Sequence, residues 1–131
     1  MEVKVTFPGG KKVNAEIGGS IIQTDQPVAA GGEGSAPTPF DYFLASLATC
    51  AGIYVLSFCQ EREIQTEGLA ITQSMEFGEV EGKRKLVRVV MDITLPAGFP
   101  EKYRNAVTKA AGLCTVKKTI MQPPEFVINA I

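Results

Sequence analysis

At 131 residues, with 45% apolar and 21% charged side chains and a net charge of −1, the chain has room for one domain, residues 1–131, around one core. The near-neutral charge, without a run of five like charges, leaves no footprint for nucleic acid. The complete lack of histidine removes Ser-His-Asp triads, HExxH zinc sites and most imidazole acid–base chemistry. Three cysteines, an odd number behind an N-terminus that enters a strand pattern directly, point to free thiols in a reducing cytoplasm.

The chain opens on period-two alternation over Glu2–Phe7 and again over Lys12–Ile17, with Pro8-Gly9-Gly10-Lys11 as the hairpin turn between them. Gly18-Gly19 leads into a third strand near Ser20–Thr24, and residues 25–36 lack any period and read as a mobile loop. A long helix is expected from Thr38 to about Arg62. Thr38 suits the N-cap, Pro39 the first helical position and Asp41 the capping box. The stretch from Phe40 to Phe58 comes nearest to a membrane span, but its Asp41, Ser46, Thr49 and Ser57 favour a core or interface helix, with no membrane as partner. Leu69–Phe77 alternates, a turn covers Gly78–Lys83, and the odd positions of Val87–Leu95 form an apolar strand face. Glu101–Leu113 suits a second helix, Thr115–Met121 a short third, and Glu125–Ile131 a last strand. Strands, long helix, strands, helices, strand: segregated runs of this kind predict an α+β fold.

Cys50 and Cys114 stand out. On a 100° wheel Cys50 shares a broad face with Phe43, Ser46, Ile53, Tyr54 and Ser57, while Leu44, Ala48, Ala51, Val55 and Cys59 lie opposite. Cys59 therefore reads as a small core residue. Around Cys50 the small Ala51 and Gly52 would admit a close neighbour, either a packing helix or a ligand. Cys114 follows Gly112, a plausible C-cap, and opens the next helix, where the dipole favours thiolate. A buried thiol ionises poorly, so attack by Cys50 calls for a cation, and Arg62, Arg84, Arg88 and Arg104 are the arginines available. A helical thiol with a distant second thiol is what a peroxide reductase needs.

Thr38-Pro39-Phe40-Asp41 followed by Leu44-Ala45-Ser46-Leu47-Ala48-Thr49-Cys50, with Cys114-Thr115-Val116-Lys117 as a Cys-Pro-Val-Ser-like turn, resembles the OsmC/Ohr family of osmotically inducible and organic-hydroperoxide-resistance proteins. Element order, chain length and cysteine spacing extend the resemblance over nearly the whole chain. It implies an OsmC-like fold of antiparallel sheets around a long central helix, in an entwined homodimer with its reactive sites at the subunit interface. Cys50 would be the peroxidatic thiolate and Cys114 the resolving thiol, with an external dithiol as reductant and neither metal nor cofactor. Phe40, Tyr42, Phe43 and Tyr54 would supply apolar surroundings suited to an alkyl or lipid hydroperoxide.

The chain departs from the family pattern twice. The position ten residues before Cys50, glutamate in the hydroperoxide reductases, is Phe40, followed by an Asp41 that reads as a helix-start residue. No arginine precedes Arg62, so the activating charge would come from Lys11, Lys12 or an arginine of a partner subunit. A second function class fits these departures: a non-enzymatic dimer that binds a small apolar ligand, with weak or no peroxidase activity. A third reading makes all three thiols core residues.

Overall fold

Alternation at the N-terminus becomes a three-stranded antiparallel meander in the computed structural model, which describes residues 1–131. Strands β1 (Lys4–Gly9), β2 (Lys12–Ile17) and β3 (Ser20–Thr24) pair in chain order. The β1–β2 register slips between Thr6 and Gly9, where Pro8 has no N–H to give the ladder. Strand β1 thus runs through Pro8 to Gly9 and the turn shortens to Gly10-Lys11. Gly18 and Gly19 at φ of 56° and 79° make the two-residue β2–β3 turn with the hand that matches strand twist.

The segment after β3 is built around a buried carboxylate rather than being the mobile loop its composition suggested. Asp25 has no exposed surface. Its Oδ1 accepts the Gln26 N–H at 2.7 Å, and its Oδ2 accepts the Glu33 N–H at 3.2 Å, the Ser35 N–H at 3.0 Å and the Ser35 hydroxyl at 2.7 Å. Four donors to one ion hold residues 26–35 in place. The Ser35 hydroxyl first, with the amides, lowers the Asp25 pKa from 3.8 to about 2. A carboxyl with a depressed folded pKa stabilises above its unfolded value and loses that contribution as pH falls toward 2. Asp25→Asn should therefore lower Tm at pH 7 by at least about 4 °C. It should also flatten the fall in Tm between pH 4 and 2, which a calorimetric pH series reads directly.

The long helix α1 (Pro39–Glu61) starts where expected. Asp41 Oδ2 accepts the Thr38 N–H and hydroxyl, both at 2.8 Å, while the Thr38 hydroxyl oxygen accepts the Asp41 N–H at 3.2 Å. This reciprocal box gives Asp41 its helix-start role. At 23 residues the helix is about 34 Å long. By length and composition alone it would suit a membrane span, yet Leu47, Ala51, Val55, Phe58 and Cys59 are buried in the protein. Ala51, Val55 and Cys59 lie on the aliphatic face read from the wheel; Leu47 and Phe58 widen it.

The chain divides into two compact units, Met1–Ala45 and Ser46–Ile131, and α1 runs through the boundary. The second unit holds the core: Val55, Phe58 and Cys59 meet Val107 of α2 (Arg104–Ala111), ringed by Ile64, Leu69, Ile71, Ile93 and Leu95. Ile71 and Ile93 face each other across the hairpin of β4 (Ala70–Val80) and β5 (Lys83–Thr94). The hairpin is longer than the sequence suggested because its turn is only Glu81-Gly82, at φ of 53° and 73°, a tight geometry that glycine tolerates without strain. Gly78, expected in the turn, is a strand residue pressed by Val87. The second predicted helix is split, with a 3₁₀ turn over Glu101–Tyr103 ahead of α2, and α3 covers Thr115–Met121 as expected. The final strand over Glu125–Ile131 does not form. Pro123 and Pro124 precede it, and no edge of the chain's own sheets pairs with it. Phe126, Val127, Ile128 and Ile131 stay exposed.

Candidate functional site

Cys50 lies three turns into α1, half-buried, and Cys114 is the fully buried N-cap of α3. All three cysteines are free thiols. The Cys114 Sγ accepts the Lys117 N–H at 3.3 Å, the bond an N-cap side chain makes. Its thiol hydrogen points toward the Leu47 carbonyl, 3.8 Å away on the turn of α1 before Cys50.

The opening of α3 favours the Cys50 thiolate. The Val116 N–H first, with the Cys114 thiol and the Thr115 N–H, lowers the Cys50 pKa below the usual 9.0 against the opposing effect of burial. The amides at the start of α3 act on both thiols, the Lys117 N–H on Cys114 and the Val116 and Thr115 N–H groups on Cys50. All four arginines and Lys12 have other partners. Lys12 pairs with Glu33 at 2.5 Å, Arg88 with Glu76 and Arg104 with Glu101, both at 3.2 Å. Arg62 stacks on Phe58 and bonds its carbonyl, and Arg84 lies over Phe77.

Cys59 contrasts with this. Burial pushes its thiol up, only partly offset by Arg62, and it packs in the core as the wheel implied. Alkylation should therefore be fast at Cys50 and negligible at Cys59.

Of the expected apolar neighbours, Tyr54 joins the thiols: its hydroxyl meets the Thr115 hydroxyl at 3.2 Å, one turn beyond Cys50. Phe40, Tyr42 and Phe43 belong to the first unit, on the opening turns of α1. Phe40 and Phe43 stack there at 5.6 Å. The sequence reading missed the Thr115 and Val116 amides, whose signal was the helix start after Cys114. It also missed a cavity of about 440 Å³ lined by Leu47 of α1, Ile71 of β4, Val89, Met91 and Ile93 of β5, and Gly112 and Lys117 on either side of Cys114 in sequence. The odd-position face of β5 was its visible trace. Gly112 is not the left-handed cap expected of it; its φ is −68°. A Cβ there would lie 3.2 Å from the Lys109 carbonyl and 3.5 Å from the Lys117 amine, so the glycine makes room. Gly52 is likewise open, with only Ile71 in reach.

Thr115 stands where the related turn has proline, and a proline has no N–H to offer Cys50. Thr115→Pro is compatible with a first helical position and should leave the fold intact. It should raise the midpoint of the pH dependence of Cys50 alkylation and slow iodoacetamide labelling at pH 7.

A family model of OsmC-like proteins matches residues 32–129. No match is found among curated protein sequences. Among solved structures, an osmotic stress induced and detoxification response protein from Psychrobacter arcticus 273-4 is 26% identical, with a TM-score of 0.74 over 89% of this chain and 85% of that one. An organic hydroperoxide resistance protein OsmC from Legionella pneumophila is 22% identical, with a TM-score of 0.59 over 92% and 89%. OhrB of Bacillus subtilis, an organic hydroperoxide resistance protein, is 22% identical, with a TM-score of 0.55 over 91% and 90%; at this identity both likenesses concern the fold. With the family match spanning most of the chain, and antiparallel sheets, long helix and thiol pair in the family's order, the protein belongs to the OsmC-like family.

Proposed function

We propose that the protein is a thiol-dependent reductase of organic hydroperoxides. The observation that supports this most is the setting of Cys50: a half-buried thiol whose thiolate the Val116 and Thr115 N–H groups favour, with the Cys114 thiol near it. The Cys50 thiolate attacks the terminal peroxide oxygen, the O–O bond breaks, and the alkoxide leaves as the alcohol after taking a proton. Cys50 becomes a sulfenic acid. Cys114 condenses with it, water departs, and a Cys50–Cys114 disulfide remains for an external dithiol to reduce. The α3 amides assist twice, by favouring the thiolate and by holding Cys114 on the same sulfur.

The working unit is a homodimer in this reading. Ile53 on α1 is 55% exposed, and Met121, Phe126 and Ile128 are 73%, 81% and 92% exposed, an apolar surface that a second copy would cover. Free thiols and the need for a dithiol suit a reducing cytoplasm. The apolar cavity and the lack of a nearby arginine favour a second reading, a ligand-binding protein with slow thiols.

Turnover separates the two. With dithiothreitol as reductant, cumene hydroperoxide should be consumed catalytically and faster than hydrogen peroxide. Consumption no faster than the uncatalysed rate would leave only the binding protein.

A further inference from the structure

Side-chain contacts tie the turn that carries Cys114 to the helix that carries Cys50. The Cys114 thiol points at the Leu47 carbonyl, 3.8 Å away, and the Tyr54 and Thr115 hydroxyls meet at 3.2 Å. Tyr54 stands one turn after Cys50 on α1, and Thr115 directly follows Cys114. The hydroxyl bond therefore joins the two thiol-bearing elements right beside their sulfurs.

The two contacts respond differently when Cys114 reacts. The nucleophile is the thiolate, which has no hydrogen to give the Leu47 carbonyl, so that contact is lost on the ionisation that attack requires. The Tyr54–Thr115 bond involves no thiol proton and persists. Helix α3 has seven residues, none of them buried, and so short a helix is marginal without contacts to hold it. Thr115 also stands where the related turn has proline, whose ring would fix a backbone that is freer here.

We propose that Tyr54 is a positioning residue for disulfide formation: through Thr115 it holds Cys114 near Cys50 and so sets the rate at which the second thiol closes on the first. The inference rests on the reading that Cys114 resolves Cys50, but not on a peroxide being the oxidant.

The test is stopped-flow reaction of the full chain with one equivalent of an aromatic disulfide, dithiobis(nitrobenzoate). The Cys50 thiolate attacks its S–S bond, forming a mixed disulfide and releasing one thionitrobenzoate. Cys114, its proton given to solvent, attacks the Cys50 sulfur and expels the second thionitrobenzoate, leaving the Cys50–Cys114 disulfide. The reagent is thus reduced to two thiolates as the protein's two thiols are oxidised. The native protein should show both phases and Cys114→Ser only the first. In Tyr54→Phe the second phase should slow relative to the first by at least about threefold. Thr115→Val should match it, and Thr115→Ser, which keeps a hydroxyl, should restore the native ratio. The double variant Tyr54→Phe/Thr115→Val should be no slower than the slower single variant. A native second phase whose ratio is unchanged in Tyr54→Phe would overturn this inference alone, as would single-variant effects that multiply in the double variant. No second phase in the native protein would overturn it together with the pairing of Cys50 and Cys114.

Discussion

Replacing Cys50 by serine should abolish hydroperoxide consumption, by a factor of at least about 10³, while leaving Tm within a few degrees. A hydroxyl of the same shape keeps the contacts with Thr115 and Val116 but is not ionised near neutral pH, and the thiolate is the nucleophile. Cys114→Ser should behave differently. The attack on peroxide survives, so one equivalent is consumed quickly, and the Cys50 sulfenic acid then persists because nothing resolves it. Dimedone should trap it at Cys50 in this variant and at a far lower level in the native protein. Cys114 is also the α3 N-cap, so its serine variant keeps a capping oxygen for the Lys117 N–H. Equal loss of the first turnover in both variants would contradict this division of roles.

The largest stability effect is expected at Phe58. Phe58 is only 8% exposed, its ring meets Tyr103 edge-on at 5.8 Å, and it carries the Arg62 guanidinium 3.8 Å above its face. Phe58→Ala removes a core ring and strips Arg62 of its stacking partner at once. Truncations of this kind cost about 3–5 kcal/mol, a large share of the roughly 5–15 kcal/mol that holds a domain together. Urea midpoints should fall accordingly. Phe58→Leu, which keeps apolar volume but loses the ring geometry, should cost about half as much. If Phe58→Ala is tolerated within about 1 kcal/mol, the core is not centred where α1 meets α2.

Local chemistry explains which parts of the architecture were legible. Thr38, Pro39 and Asp41 announced α1 because a capping box is a short-range device, and Cys59 was placed by helical period alone. The N-terminal strands and α3 likewise follow from alternation and turns. Long-range pairing was less visible. Asp25 looked like a loop residue because its four donors, at Gln26, Glu33 and Ser35, are arranged only once the loop folds around it. The tail after Pro124 holds Phe126, Val127 and Ile128, residue types that favour strands, yet a strand also needs an edge to pair with. At the site, both cysteines were legible from their motifs. The backbone N–H groups of Thr115 and Val116 that favour the Cys50 thiolate were not, because backbone amides carry no side-chain signature. Tyr54, expected among the apolar surroundings, meets Thr115 of α3, a partner far along the chain that helical spacing alone does not reveal.

The most direct test of the central claim is peptide mapping by mass spectrometry after one equivalent of cumene hydroperoxide, with hydrogen peroxide in parallel. The account predicts a Cys50–Cys114 disulfide formed within the mixing time, faster with the organic peroxide, with Cys59 still reduced. Reduced Cys50 and Cys114 in a protein that remains folded would contradict it.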